Sequence, residues 1–151
     1  MKRLLIVGCG DVALRMLPTL AGRYRIFALT HSRDRHALLR ANGVMPVAGD
    51  LDRPQSLRVL GGLADEVAHF APPPGAGPHD TRTANLLAAL AKSGSLPQHI
   101  VYISTSGVYG DCNGEWVVET RPTRPMTEEE RTKFLTEYFD KSGWDFVQAG
   151  Q

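Results

Sequence analysis

Leu4-Leu5-Ile6-Val7-Gly8-Cys9-Gly10-Asp11-Val12-Ala13 is an apolar run that breaks directly into G-x-G-x-x-A, and its reading decides the fold. The run has the length of a buried parallel strand. The glycines suit a tight strand-to-helix turn, whose backbone N–H groups can approach a pyrophosphate at the N-terminus of the next helix. The same six-residue pattern elsewhere in a chain would carry little weight; after a strand and opening a helix it carries much more. Two readings stay open at this point. Gly8, Cys9, Gly10, Asp11, Val12 and Ala13 surround a dinucleotide, or the glycines serve only the turn.

Working outward, Asp11 to Leu20 places Val12, Ala13, Met16, Leu17 and Leu20 at helical spacing, with Gly22 as a stop. Pro18 inside this stretch is expected to kink the last turn or end the helix early. Arg25–Thr30 reads as a second strand, Arg35–Ala41 as a short helix closed by Asn42-Gly43, and Val44–Ala48 as a third strand. Asp52-Arg53-Pro54 is expected to open another helix, with an acid at the cap and an early proline. Glu66–Ala71 makes a fourth strand that runs into the loop Pro72-Pro73-Pro74-Gly75-Ala76-Gly77-Pro78. Asp80 to Lys92 is a helix with Leu86, Leu87 and Leu90 on one side, and Ile100–Ser104 is a fifth strand. This alternation predicts a Rossmann-type doubly wound parallel α/β sheet with helices on both faces.

The 151 residues fit one domain by size, with ordinary hydrophobic (42%) and charged (22%) content. A net charge of +1 gives no field that would favour nucleic acid or a membrane surface. Arg33, Arg35 and Arg40 are too few for a nucleic-acid site without a supporting motif. No apolar run approaches membrane-helix length, and the start lacks the shape of a secretory signal. Cys9 and Cys112 match no metal-ligand spacing, and the histidines are scattered. The expectation is a cytoplasmic protein with reduced thiols and no metal.

Composition changes near residue 126. The remainder is acidic and aromatic: a helix is expected over 127–142, with Thr127 as cap and three glutamates in its first turn, then a sixth strand over 144–148. An edge strand carrying Trp144 and Phe146 invites pairing with a second copy, so a homodimer through 127–151 is expected, in competition with the helix-packed dimer that fold-level precedent favours.

Cofactor choice in such folds is read at the end of the second strand, where an acid accepts from a ribose 2′-OH and cations hold a 2′-phosphate. Here Thr30-His31-Ser32-Arg33-Asp34-Arg35 has no acid at the expected position. Thr30 or Ser32 can hydrogen-bond a 2′-phosphate and Arg33 or Arg35 can pair with it, which favours NADP over NAD. Asp34 is the residue that argues the other way. At the third strand's end, Asp50 and Leu51 are placed against adenine, while Asp52 is read as a cap. Ala71 and Ser104, at the ends of the fourth and fifth strands, complete the cofactor set.

Val101-Tyr102-Ile103-Ser104-Thr105-Ser106-Gly107-Val108-Tyr109-Gly110-Asp111 is the most specific later stretch. With Gly8-x-Gly10-x-x-Ala13, Asp50-Leu51 and Asn85, it resembles the extended short-chain dehydrogenase/reductase superfamily, and within it the NAD(P)-dependent epimerase/dehydratase group acting on nucleotide sugars. Glu119-Thr120-Arg121-Pro122-Thr123-Arg124-Pro125 is similar to that group's E-x-x-P-x-x-P segment. The resemblance covers residues 1 to about 126. It implies that Thr105 hydrogen-bonds the reacting hydroxyl or carbonyl of a small-molecule substrate. It also implies a Tyr-x-x-x-Lys base, which is missing: Lys133 falls near the lysine's place, but Glu129 stands four residues before it. Tyr138 and Lys141 are one residue too close, and on a helix that slip turns a side chain by about 100°. Glu129 is either a substitute base or a solvated first-turn glutamate; Tyr109 is read as a pocket-rim residue. The group's substrate lobe is absent from these 151 residues. Two functions therefore stand: an epimerase/dehydratase-like oxidoreductase, or a non-catalytic dinucleotide-binding or sensor module.

Overall fold

The structure is a computed structural model that describes residues 1–75, 79–92, 94–103 and 109–124, and the backbone of 146–148. Its centre is β1 (Lys2–Val7), whose Leu4, Leu5, Ile6 and Val7 are all buried. Both faces of this strand are covered, so its apolar run is continuous instead of alternating. Around it lie α1 (Asp11–Leu20), β2 (Tyr24–Thr30), α2 (Arg35–Ala41), β3 (Met45–Ala48), a 3₁₀ helix (Pro54–Leu60), β4 (Glu66–His69), α3 (Thr81–Ala91), β5 (His99–Tyr102) and β6 (Phe146–Gln148).

The strands form one six-stranded sheet in the order β3-β2-β1-β4-β5-β6, and every pairing is parallel. This is the expected doubly wound Rossmann-type architecture. Leu5, Val7, Phe27, Leu29 and Val67 point to one face and pack on Leu57 and Leu60 of the 3₁₀ helix and on Leu86 and Leu90 of α3. Leu4, Ile6, Ile26 and Ala28 point to the other and pack on Ala13 and Leu17 of α1 and Leu39 of α2. Strand order reverses between β1 and β4, and the carboxyl ends of the strands there open a crevice, the usual ligand position in such sheets.

Local departures from the expectations have physical reasons. Helix α1 does not end early at Pro18: it runs to Leu20, with the Ala21 N–H donating to Leu17 O at 3.1 Å. A buried face anchored by Ala13 and Leu17 carries it past the proline. The segment after β3 is a 3₁₀ helix beginning at Pro54, and its N-cap is Arg53, with no side-chain cap. Asp52 is therefore not a cap; it is an ion-pair partner of Arg82. Helix α3 has the cap the sequence suggests, Asp80 accepting from the Thr83 N–H at 3.0 Å. The expected helix over 127–142 lies outside the described residues; the sixth strand is present over Phe146–Gln148, paired in register with Ile100–Tyr102.

Candidate functional site

A cleft of about 580 Å³ lies at the carboxyl ends of β1, β2, β3 and β4, within the size range of small-molecule sites. Its floor is the glycine turn, and the two glycines are there for different reasons. Gly8 has φ +87°, and a Cβ on it would lie 2.7 Å from Ala71 Cα and 2.8 Å from the Phe70 carbonyl carbon. The chain after β4 crosses directly over this residue, with Phe70 and Ala71 both donating their N–H to Val7 O at 2.7 and 3.1 Å. Gly8 is a requirement of the fold. Gly10 is not: its φ is −87°, and a Cβ there would meet no protein atom within 4 Å. It lines the cleft as the N-cap of α1, with no side-chain cap of its own. The first-turn N–H groups of a helix have no intrahelical acceptors, so this end of α1 suits an anion.

Cys9 between them is 6% exposed, and burial pushes its thiol up against a smaller opposing pull from Arg35. Arg35, on the first turn of α2, donates from Nη2 to the Cys9 carbonyl at 2.7 Å and lines the cleft. Thr30 and His31 line it beside Arg35. Ser32 is half-buried and exchanges hydrogen bonds with Thr30, and Arg33 is exposed; neither lines the cleft. Asp34 is exposed and contributes nothing to the lining either. The cation that lines the cleft at the end of β2 is thus Arg35, and no carboxylate from residues 30–35 joins it in the lining.

Further along, Asp50 and Leu51 line the cleft in a segment held from several sides. The Asp50 N–H donates to Ser56 Oγ at 2.9 Å, the Asp52 N–H to Asp50 Oδ1 at 2.9 Å, and Asn85 Nδ2 to the Leu51 carbonyl at 2.8 Å. Ala71 lines the cleft where it passes over Gly8. Asp11, Val12 and Ala13 lie outside the lining: Asp11 pairs with Arg15 at 2.9 Å, Val12 is 64% exposed, and Ala13 is buried against the sheet. Ser104, Thr105, Lys133 and Glu129 lie outside the described residues.

Phe70, Pro72 and Arg82 also line the cleft, and no sequence pattern pointed to them. Arg82 projects from the first turn of α3 and grips Asp52 with two bonds, Nε to Oδ1 at 2.9 Å and Nη2 to Oδ2 at 2.8 Å. The guanidinium holds the Asp52 carboxyl below the usual carboxylate range. Only the cap signature of α3 was legible beforehand; that its second residue reaches Asp52 depends on the sheet order. Among the described residues no three potential metal ligands cluster, and no helix is long and apolar enough to cross a membrane.

No protein-family model matches the chain, and no curated protein matches it in sequence. Solved structures do match. Uronate dehydrogenase from Agrobacterium tumefaciens superposes with a TM-score of 0.75 at 24% identity, covering all of this chain and 61% of that one. UDP-glucuronic acid 4-epimerase from Bacillus cereus, solved in complex with NAD, superposes at 0.73 with 20% identity, covering 97% of this chain and 54% of the epimerase. A conserved protein of unknown function from Silicibacter pomeroyi is 26% identical at a TM-score of 0.70, over 91% of this chain and 48% of its own. The chain shares the fold of NAD-dependent epimerases and dehydrogenases and spans about half the length of these structures.

Proposed function

We propose that the chain binds a nicotinamide dinucleotide in this cleft, as the cofactor-binding unit of an epimerase/dehydratase-like oxidoreductase. The observation that carries this reading is Gly10. A residue without a side chain, on a helix N-terminus, where the protein itself would tolerate one, is explained by a ligand that passes close to the backbone.

The residues that would hold the group are Gly8, Cys9 and Gly10 with the start of α1 at the pyrophosphate, and Asp50 and Leu51 at the adenine. Among the described residues no hydrogen bond uses the Leu51 N–H. Together with the Asp50 carboxylate it offers a donor and an acceptor on adjacent residues, the complement of adenine's ring nitrogen and amino group. Thr30 and Arg35 line the cleft and Asp34 does not, which favours a 2′-phosphate and hence NADP over NAD. Bound there, the nicotinamide supplies hydride chemistry. In the resemblance, Thr105 orients the reacting oxygen of a nucleotide-sugar or related alcohol or carbonyl substrate, and Lys133 stands near the place of the lysine.

The second reading, a binding or sensor module without turnover, is favoured by one specific feature, the missing Tyr-x-x-x-Lys. Titration with NADPH and NADH, followed by nicotinamide fluorescence, tests the cofactor. Wild-type chain should bind NADPH more tightly, and Gly10→Val should fold and lose binding. Unchanged affinity in Gly10→Val would overturn the site. Substrate-dependent change in NADPH absorbance that falls at least ten-fold in Thr105→Ala supports the oxidoreductase; tight binding with no turnover supports the module.

A further inference from the structure

The grip of Arg82 on Asp52 joins three segments of the cleft wall. Arg82 stands in the first turn of α3, Asp52 follows β3, and Arg82 Nη1 also donates to the Pro72 carbonyl beyond β4 at 3.4 Å. All three residues line the cleft. The ion pair is not what fixes α3 on the sheet. That is done by Leu86, Leu87 and Leu90 in the core and by Asn85 on the Leu51 carbonyl. The Arg82 and Asp52 side chains keep 30% and 50% of their exposure, and an exposed pair contributes little to stability. A two-pronged guanidinium–carboxylate contact does, however, fix direction as well as distance.

We propose that Arg82 is a positioning residue for the base end of the cleft: by holding Asp52 and the Pro72 carbonyl it presets Asp50–Asp52 in the conformation that receives the adenine part of the dinucleotide. Asp50 itself is tied to this segment through the Asp52 N–H. Loss of Arg82 frees the carboxylate of Asp52 and the end of the segment farthest from Ser56 and Asn85. The ligand must then order that end on binding, which lowers affinity without removing any contact to it. Lysine keeps the charge but not the fork, so Arg82→Lys should recover only part of the loss.

This role rests on the dinucleotide reading of the cleft, and the experiment separates the two. Affinity for ADP-ribose, which lacks the nicotinamide, is measured by calorimetry for wild type, Arg82→Ala, Arg82→Lys and Asp52→Asn. Amide hydrogen exchange is followed in the free proteins. The expected result is a roughly ten-fold weaker affinity in Arg82→Ala and Asp52→Asn, a smaller loss in Arg82→Lys, faster exchange at Asp52 and Arg53, whose N–H groups bond to Asp50, and unchanged protection across Leu86–Leu90. Equal affinity in wild type and Arg82→Ala overturns the positioning role alone. So does a loss of affinity accompanied by lost protection throughout α3, which marks a purely structural residue. A wild-type chain that binds no ADP-ribose overturns the cleft reading, and this role with it.

Discussion

His69 Nε2 lies 2.8 Å from Thr83 Oγ1, and that hydroxyl lies 2.6 Å from Asp80 Oδ2. The carboxylate can only accept, so the Thr83 proton points to Asp80 and the hydroxyl oxygen accepts from His69. The imidazole therefore carries its proton on Nε2. The chain from β4 to the cap of α3 is a one-way relay, buried throughout. His69 sits 5.1 Å from the Tyr102 ring, centroid to centroid, at the carboxyl ends of neighbouring strands.

Burial pushes the His69 imidazole down to about 4, against a weaker opposing pull from Asp80. Its folded value lies below the unfolded one of about 6.5, so the unfolded chain binds the extra proton first. The neutral ring's contribution to stability is complete above pH 6.5 and is lost as pH falls toward 4. The shift corresponds to roughly 3 kcal/mol. Urea unfolding at stepped pH should show this slope in wild type and a flatter profile in His69→Gln. An identical slope in the variant would assign it to another group. Asp52, Asp65 and Glu66, whose partners hold their carboxyls down, act at lower pH, below their ordinary values near 4.

Gly8→Ala should cost more than about 2 kcal/mol of stability, because an L-residue at φ +87° is strained and its Cβ runs into the backbone of Phe70 and Ala71. Gly10→Ala should unfold within about 0.5 kcal/mol of wild type, since nothing in the protein opposes that methyl group. Thermal melts of the two variants decide whether the glycines divide between fold and ligand in this way.

Leu57 on the 3₁₀ helix is fully buried between sheet and α3, and Leu57→Ala should cost about 2–5 kcal/mol. Leu38 on α2 is 47% exposed, and the same truncation there should change the denaturant midpoint little. Comparable losses at both would contradict the burial of Leu57 between the sheet and α3.

Cys9 should alkylate slowly at neutral pH, because burial both shields the thiol and holds back its ionisation. Cys112, which is half-buried, serves as the internal comparison. Mass-resolved labelling with iodoacetamide should modify Cys112 first; NADPH should slow Cys9 further and leave Cys112 unchanged. Early labelling of Cys9 would mean that the glycine turn opens readily.

The fold was legible because local signals agreed: apolar runs covered on both faces, a glycine turn, and Asp80 capping a helix with three leucines on one side. Tertiary contacts outweigh local propensity at two places. Of the two outcomes open at Pro18, an early end is set aside because a buried face carries α1 to Leu20, and Asp52 leaves the cap position because Arg82, thirty residues later, reaches it. Phe70, Pro72 and Arg82 entered the cleft only through strand order, which no local pattern reports. Arg35 was one of two arginines suited to the end of β2, and its bond to the Cys9 carbonyl separates it from Arg33. The turn itself could not be divided between Gly8 and Gly10 without knowing that the chain after β4 crosses one and not the other.

Strand β1 has neighbours on both edges, β2 on one and β4 on the other. It is synthesised before every strand it pairs with. While the chain emerges from the ribosome, β2 can dock once residue 30 is clear, but the opposite edge has no partner until Glu66–His69 appears. Through that interval this strand, with its four apolar residues Leu4–Val7, presents bare N–H and C=O groups, a template for any other chain nearby. Pace of synthesis over residues 31–69, more than stability of the finished sheet, should therefore govern how much of this protein is recovered folded.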